Sequence, residues 1–213
     1  HDLKAPLRAV DQLATWIEED LEGKLEGDTG NHLRLMRSRI DRMENLLTDL
    51  LEFSRSGRIK GAVEQVEIAE LVQDVFDLGC INKRFQLELL GDFPNIKTHK
   101  APLELVFRNL ISNALKHHDK EKGVITISAT RKGSSLIFFI ADDGPGIDIE
   151  HRERVFDMFQ TLRPRDEVEG SGMGLAIVKK TIESFGGLIT LTPNIPRGSI
   201  FSFSWPEQFD STS

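Results

Sequence analysis

Three short stretches of this chain carry residue types that could handle a charged, metal-bound ligand. Asn109, Asn113 and Lys116 stand at i, i+4 and i+7, so on a helix they share one face. An amide oxygen can ligate Mg²⁺ without adding charge, and a lysine ammonium can meet phosphate oxygens. On this helix alone a solvated polar face explains the same spacing. The second stretch, Ala141-Asp-Asp-Gly-Pro-Gly-Ile147, follows an apolar run. Its glycines let backbone approach a ligand or turn sharply, and Asp142 stands where a strand should end, half out of solvent. A carboxylate there accepts hydrogen bonds, which suits the exocyclic amine of adenine and repels the carbonyl oxygen of guanine. An ordinary Asp-Gly turn is the alternative. The third stretch is Gly170-Ser-Gly-Met-Gly-Leu175, leading into the helical run Ala176-Ile-Val-Lys-Lys180. A glycine turn feeding a helix N-terminus offers free N–H groups and a favourable dipole to phosphate. It has neither the dinucleotide glycine spacing nor the Gly-Lys-Ser/Thr of a P-loop, so alone it is weak. Between the last two lies Phe156-Asp-Met-Phe159, then an aperiodic polar run at 161–169 that reads as a lid hinged by aromatic packing.

The elements that must position these residues fall into two segments. Leu3, Leu7, Val10, Ala14, Ile17 and Leu21 alternate steps of four and three, as do Leu33, Met36, Ile40, Met43, Leu47 and Leu50. Heptad spacing predicts two helices, each with one apolar seam, joined by the turn-rich residues 23–30. A lone hairpin cannot cover two seams well, and Leu35, Leu46 and Leu51 add apolar surface, so two hairpins pairing into a four-helix bundle is the expectation, with a hairpin packed on its own chain's second domain as the alternative. The division expected is a helical hairpin at 1–55, a linker at 56–64, a second domain at 65–208 and a tail at 209–213. In the second domain helices are expected at 68–78, 102–118 and 172–185. Strands are expected at 85–90, 124–130, 136–141, 188–192 and 199–205, the last two as a hairpin. Leu103, Phe107, Leu110 and Ala114 form the stripe that should pack on the sheet. The fold class is α+β, with helices on one face of a mixed sheet.

Composition narrows the function. The 213 residues hold 27 Lys+Arg against 34 Asp+Glu, a net charge of −7 that argues against phosphate-neutralising nucleic-acid binding. The single cysteine, Cys80, excludes an internal disulfide framework and a cysteine-based zinc site, and fits a cytoplasmic setting. It is expected to be a small buried hydrophobe. No apolar run is long enough to span a bilayer, so no membrane contact is expected of this segment.

The order of the pieces is more specific than any one of them. An Asn-bearing helix, Asp-x-Gly-x-Gly, a Phe pair and Gly-x-Gly-x-Gly-Leu in succession resemble the ATP-binding domain of sensor histidine kinases, which has the Bergerat (GHKL) fold. Asn109-Leu-Ile-Ser-Asn113-Ala-Leu-Lys116 matches the N box, Asp142 to Gly146 the G1 box, Phe156 to Phe159 the F box and Gly170 to Leu175 the G2 box. His1-Asp-Leu-Lys-Ala-Pro-Leu7 looks like the H box of the HisKA dimerisation domain. The resemblance covers nearly the whole chain. The stretch from Phe159 through Gly174 further resembles the phytochrome-like and PAS-linked members.

The resemblance implies a protein-histidine kinase that uses ATP and Mg²⁺ to phosphorylate His1 and passes the phosphoryl group to an Asp of a response-regulator receiver domain. Asp2 would accept the Nδ1–H of His1, leaving Nε2 nucleophilic. With Leu3 at heptad position d, His1 falls at b, outside the bundle, and Pro6 would loosen the helix there. Asn113, with Asn109, would hold Mg²⁺. Lys116 and a lid arginine, Arg163 or Arg165, would meet phosphate oxygens. Asp142 would hold adenine within a site formed by Gly144, Gly146, Phe156 and Phe159. Gly170, Gly172, Met173, Gly174 and Leu175 would carry the phosphates. His117 sits where the family often has Tyr and is expected to contact nucleotide. His118 is expected in solvent, and His32, His99 and His151 as ordinary polar histidines. Homodimerisation through the hairpin is implied, as are a preceding helix and a sensor domain upstream. Ala5 stands where many members carry Thr or Asn; an alanine cannot orient a water, so weak or absent phosphatase activity is expected. A non-kinase GHKL ATPase and a catalytically degenerate dimeric scaffold are the alternatives; the H box counts against the first, and the intact Asn113, Asp142, Gly172 and Gly174 against the second.

Overall fold

A computed structural model describes residues 4–21, 28–56, 61–80, 84–160 and 171–207, and it divides into two compact units, residues 1–54 and 55–213.

The first unit is an antiparallel pair of helices, α1 (Ala5–Asp20) and α2 (Asp28–Arg55). Pro6 lies in the first turn of α1, where a missing N–H costs no intrahelical bond. Lys4 Nζ donates to Thr48 Oγ1 at 2.7 Å, Arg8 faces Glu44 at 3.8 Å, and Arg37 meets Asp11 at 3.5 Å and Glu18 at 2.6 Å. These pairs are solvent-exposed and contribute little stability each. Their value is register, since they pin the two helices in opposite directions. The predicted seams are split by this pairing. Ala14, Leu33 and Ile40 are buried between the helices, whereas Val10, Leu13, Trp16, Ile17, Leu35, Met43 and Leu50 stay exposed. The hairpin covers one flank of each apolar stripe and leaves the other in water.

The second unit is an α+β sandwich. Its five-stranded sheet runs in the order β2 (Phe85–Leu90), β4 (Gly123–Lys132), β5 (Ser135–Asp142), β7 (Ser199–Pro206) and β6 (Ile189–Pro193). β2 lies parallel to β4 and every other pairing is antiparallel. Ile125 and Ile127, Leu136, Phe138 and Ile140, and Phe201, Phe203 and Trp205 alternate along three strands and are all buried on one face. Against that face pack α3 (Ile68–Gly79), α4 (Lys100–Lys116) and α5 (Gly174–Ser184). Leu103, Phe107 and Leu110 of α4 are fully buried, and the Phe107 ring meets Phe138 edge-on at 5.2 Å. Burial of each such large side chain stabilises the fold by about 1.5–3 kcal/mol.

The expected helices and strands all occur; in the second unit their ends shift by up to two residues, and α2 starts at Asp28, inside the stretch 23–30 read as the connection. Two strands were not expected: β1 (Val63–Glu67) and β3 (Asn95–His99), paired antiparallel with Val66 opposite Ile96. Both are short and polar, and α3 and β2 separate them in sequence, so neither alternation nor a turn signal marks them. β1 starts inside the stretch read as linker. Its partner β3 runs straight into α4, which fixes where the Asn-bearing helix begins. Cys80 is half-buried against the core rather than fully enclosed, because α3 ends one residue before it. Among the described residues no helix is long and apolar enough to cross a membrane.

Candidate nucleotide site

The site is built outward from α4. Its apolar stripe is locked on the sheet, so the opposite stripe, Asn109, Asn113 and Lys116, turns away from the core. Asn109 and Asn113 are half-buried and Lys116 is exposed in the last turn. Asn109 Nδ2 donates to the Leu105 carbonyl at 2.9 Å. That bond aims the amide oxygen at the start of α5, where a Cβ on Gly174 would stand 2.9 Å from Oδ1. Only glycine leaves room for this approach. The N-box amide and the glycine turn thus meet directly.

The glycine turn has the geometry of an anion cradle. Gly172 adopts φ +73, and a Cβ there would collide with the backbone of Phe159 and Gln160 at 2.7–2.9 Å. Phe159 itself holds φ +64, so the two ends of the intervening segment are set against each other in left-handed conformations. α5 begins at Gly174, two residues later than expected. Its N-cap is Met173, which is buried and whose side chain makes no cap bond. Its first N–H groups therefore have no intrahelical acceptor and point beyond the helix end. Leu175 is half-buried against the core, and Phe156 meets Phe201 edge-on at 6.3 Å.

Asp142 is the last residue of β5 and is half-buried, as its position predicted. Its Oδ1 accepts the Gly144 N–H at 2.9 Å and the Ser199 N–H at 3.3 Å. Among the described residues Oδ2 has no protein donor, so it is the oxygen left to a ligand. Desolvation raises the Asp142 pKa above the ordinary carboxylate value, and the two N–H bonds offset only part of that. Gly146, at φ +77, passes close to Gly198, where a Cβ would stand 2.9 Å from the Gly198 carbonyl.

Sequence reasoning missed the residues that hold this carboxylate. Asn194 Nδ2 donates to the Asp142 carbonyl at 2.8 Å, and Arg197 Nη1 to the Asp143 carbonyl at 3.2 Å. Gly198, at φ +110, lies so near Asp142 that any side chain would overlap its carbonyl. The available signal was the glycine just before β7, in a turn otherwise read only as a hairpin connection. His118 was expected in solvent, but its side chain is 1% exposed. It sits edge-on to Phe85 at 5.1 Å, accepts the Lys120 N–H at Nδ1 (3.0 Å), and contacts the Asp143 carboxylate through Nε2 at 3.0 Å. The chain turns back toward β4 directly after α4, and this carries His118 inward. His117 remains exposed, its N–H closing the helix on the Asn113 carbonyl at 3.0 Å. His99 is buried, with Nδ1 3.0 Å from the Gly61 carbonyl. His1, Asp2, Arg163, Arg165 and Gly170 lie outside the described residues.

The donor set suits Mg²⁺ only in company with phosphates. Among the described residues no group of three or more His, Cys, Asp or Glu is placed to hold a metal ion. Mg²⁺ commonly takes one or two protein oxygens and completes its shell with phosphates and water. Amide oxygens from Asn113 and Asn109 fit that pattern.

Comparison with known proteins identifies the family. Residues 98–208 match the family model described as histidine kinase-, DNA gyrase B-, and HSP90-like ATPase. The phytochrome-like protein Cph1 of Synechocystis sp. is 32% identical over 97% of this chain and 28% of its own length. The methanogenesis regulatory histidine kinase FilI of Methanothrix harundinacea is 30% identical over 97% of this chain and 24% of its own length. The structure of full-length ShkA in complex with AMPPNP superposes with a TM-score of 0.74 at 26% identity, covering 99% of this chain and 45% of that one. The chain thus spans about a quarter of the length of each of these two relatives.

Proposed function

Since the chain belongs to the histidine kinase-, DNA gyrase B-, and HSP90-like ATPase family, on its sensor histidine kinase branch with the Bergerat fold, we propose that it is the catalytic region of a two-component kinase. It binds Mg-ATP, phosphorylates His1 of the helical hairpin and passes the phosphoryl group to an Asp of a response-regulator receiver domain. The observation that carries this reading is the closure of α4 on both sides of its amide face. Asn109 abuts the start of α5 at Gly174, and His118 abuts Asp143 at the end of β5. Asn113 lies between them, one turn from Asn109.

In this reading Asp142 Oδ2 accepts a hydrogen bond from the adenine amine, because Oδ1 is already committed to backbone N–H groups. The uncapped N–H groups at Gly174 and Leu175, with Gly172 at the turn, face the phosphates. Asn113 and Asn109 hold the Mg²⁺, which neutralises phosphate charge when bound. Lys116, exposed at the end of α4, supplies a mobile cation, with Arg163 or Arg165 as a second. Gly144 and Gly146 keep the loop close to the base, and His117 contacts the nucleotide. Phe156 and Phe159 contribute apolar contact to the nucleotide site. Nε2 of His1 attacks the γ-phosphorus while the bond from that phosphorus to the β-bridging oxygen breaks, and ADP leaves. Asp2 accepts the Nδ1–H, which keeps Nε2 unprotonated for attack. Transfer onward exchanges the N–P bond for an acyl phosphate on the receiver Asp. The exposed stripe of Val10, Leu13, Trp16, Ile17, Leu35, Met43 and Leu50 supports homodimerisation through the hairpin into a four-helix bundle. A cytoplasmic setting fits this chemistry, with a sensor domain upstream.

The test is incubation with γ-labelled ATP and Mg²⁺, using a chain extended upstream of His1, followed by assay of acid-labile label. Label is expected on the wild type and absent from His1→Gln. Label retained by the variant would remove His1 from the reaction. Free phosphate without label would indicate an ATPase, and neither would indicate a scaffold.

A further inference from the structure

The backbone carbonyls of Asp142 and Asp143 are bound by side chains that no part of the nucleotide reading uses. The β5–β7 ladder ends at Ala141 opposite Ile200, so at Asp142 the sheet holds the chain from the β4 side only, opposite Ile125. The turn between β6 and β7 takes over. Asn194 holds the Asp142 carbonyl and Arg197 Nη1 the Asp143 carbonyl, at 2.8 and 3.2 Å. The other guanidinium nitrogen of Arg197, Nη2, pairs with Asp119 Oδ2, three residues past the end of α4. Arg197 therefore spans two structures: the segment that follows the amide helix, and the loop that carries the base-reading carboxylate. Its planar fork presents two donors to two separate acceptors, which a lysine ammonium cannot do in the same way. It is also a cation beside the carboxylates gathered at this corner, Asp119, Asp142 and Asp143, where the His118 ring stands 3.0 Å from Asp143 and 3.9 Å from Asp119.

We propose that Arg197 is a positioning residue for nucleotide-base discrimination: by bridging Asp119 and the Asp143 carbonyl, it holds Asp142 in register with the amide face of α4. This rests on the reading of Asp142 as the adenine acceptor. The phosphates are bound elsewhere, at the start of α5, so loss of the bridge falls on recognition of the base rather than on nucleotide binding as a whole. Hydrogen-bond strength declines steeply with misalignment, so a small displacement of Asp142 suffices.

The experiment compares equilibrium binding of Mg-ATP and Mg-ITP to the full chain by calorimetry. Inosine keeps the ribose and triphosphate but replaces the amine by a carbonyl. Wild type is expected to prefer ATP. Arg197→Ala should compress the ATP/ITP ratio by about 3- to 10-fold, the equilibrium equivalent of one hydrogen bond. Arg197→Lys should recover only part of it. Asp119→Asn, which leaves the β6–β7 turn untouched, should compress the ratio in the same direction, and the double variant should lose no more than Arg197→Ala alone. Both side chains are about one-third exposed, so neither substitution strands a buried charge. A wild type without preference for ATP would overturn the reading of Asp142, and this inference with it. A wild type that prefers ATP, with Arg197→Ala and Asp119→Asn keeping the full ratio while melting earlier, would make Arg197 purely structural and overturn the inference alone.

Discussion

Asp142→Asn separates recognition from folding at one atom. Asparagine retains Oδ1, so the bonds from Gly144 N–H at 2.9 Å and Ser199 N–H at 3.3 Å survive. What changes is the second atom, from an acceptor oxygen to a donor amide nitrogen. Toward adenine this removes a charge-assisted hydrogen bond and sets two donors against each other. A hydrogen bond to a charged group contributes about 1.5–3 kcal/mol, so ATP affinity should fall by about 10- to 150-fold. Toward inosine the new donor meets a carbonyl, and the preference for ATP over ITP should vanish or reverse. Stability should move the other way. The folded-state pKa of Asp142 is raised, with desolvation as the largest cause. A raised carboxyl contributes stability that is full below the ordinary carboxylate pKa and is lost as pH rises through the elevated one. At pH 7 the ionised carboxylate is a cost to the fold, and the neutral amide removes it. The melting temperature of Asp142→Asn at pH 7 should equal or exceed that of wild type, and the difference should shrink as pH falls toward the carboxylate range. Calorimetric titration with both nucleotides and a pH series of thermal melts read these two outcomes. An ATP affinity and ATP/ITP ratio unchanged by the substitution would refute the assignment of Oδ2 to the base.

Three further outcomes follow from specific contacts. Gly174→Ala should keep or improve the stability of α5 yet lower kcat/KM for ATP by at least about tenfold, because its Cβ would stand 2.9 Å from Asn109 Oδ1 and must push that amide aside. Equal kcat/KM would show that the Asn109 orientation is irrelevant to turnover. Trp16→Asp, at an exposed position of α1, should leave helix content unchanged and raise the dimer dissociation constant by about 30-fold or more in sedimentation equilibrium. An unaltered dimer would place the interface elsewhere. Ala5, exposed at the start of α1, has no group to orient a water, so the chain should not accelerate loss of phosphate from a phosphorylated receiver domain. Rapid loss that depends on the chain would contradict this.

Elements with strong local signals could be read directly. The alternation of Leu136, Phe138 and Ile140 with their neighbours marks a half-buried strand wherever it sits. The stripe of Leu103, Phe107 and Leu110 assigns α4 its buried face, and so its amide face, before any partner is known. β1 and β3 escaped because each is stable only through the other, and nothing within either short stretch records the pairing. His118 escaped for a related reason. Its burial depends on Phe85 and Asp143, brought alongside by the sheet order β2-β4-β5.

The sequence by itself determined the chemistry: two amides and an amine on one helical face, a carboxylate at a strand end, and glycines where backbone must come close. Those features are set by helical periodicity, side-chain type and the absence of a Cβ, all local properties. Only the tertiary structure decided how they are held. It set Oδ1 of Asp142 on the Ser199 N–H, turned the Asn109 oxygen to Gly174, and brought Asn194 and Arg197 from the last hairpin onto the carbonyls of Asp142 and Asp143. These are contacts across long stretches of chain, and hydrogen bonding depends on distance and direction in space. No spacing along a sequence encodes either until the sheet has placed β7 beside β5.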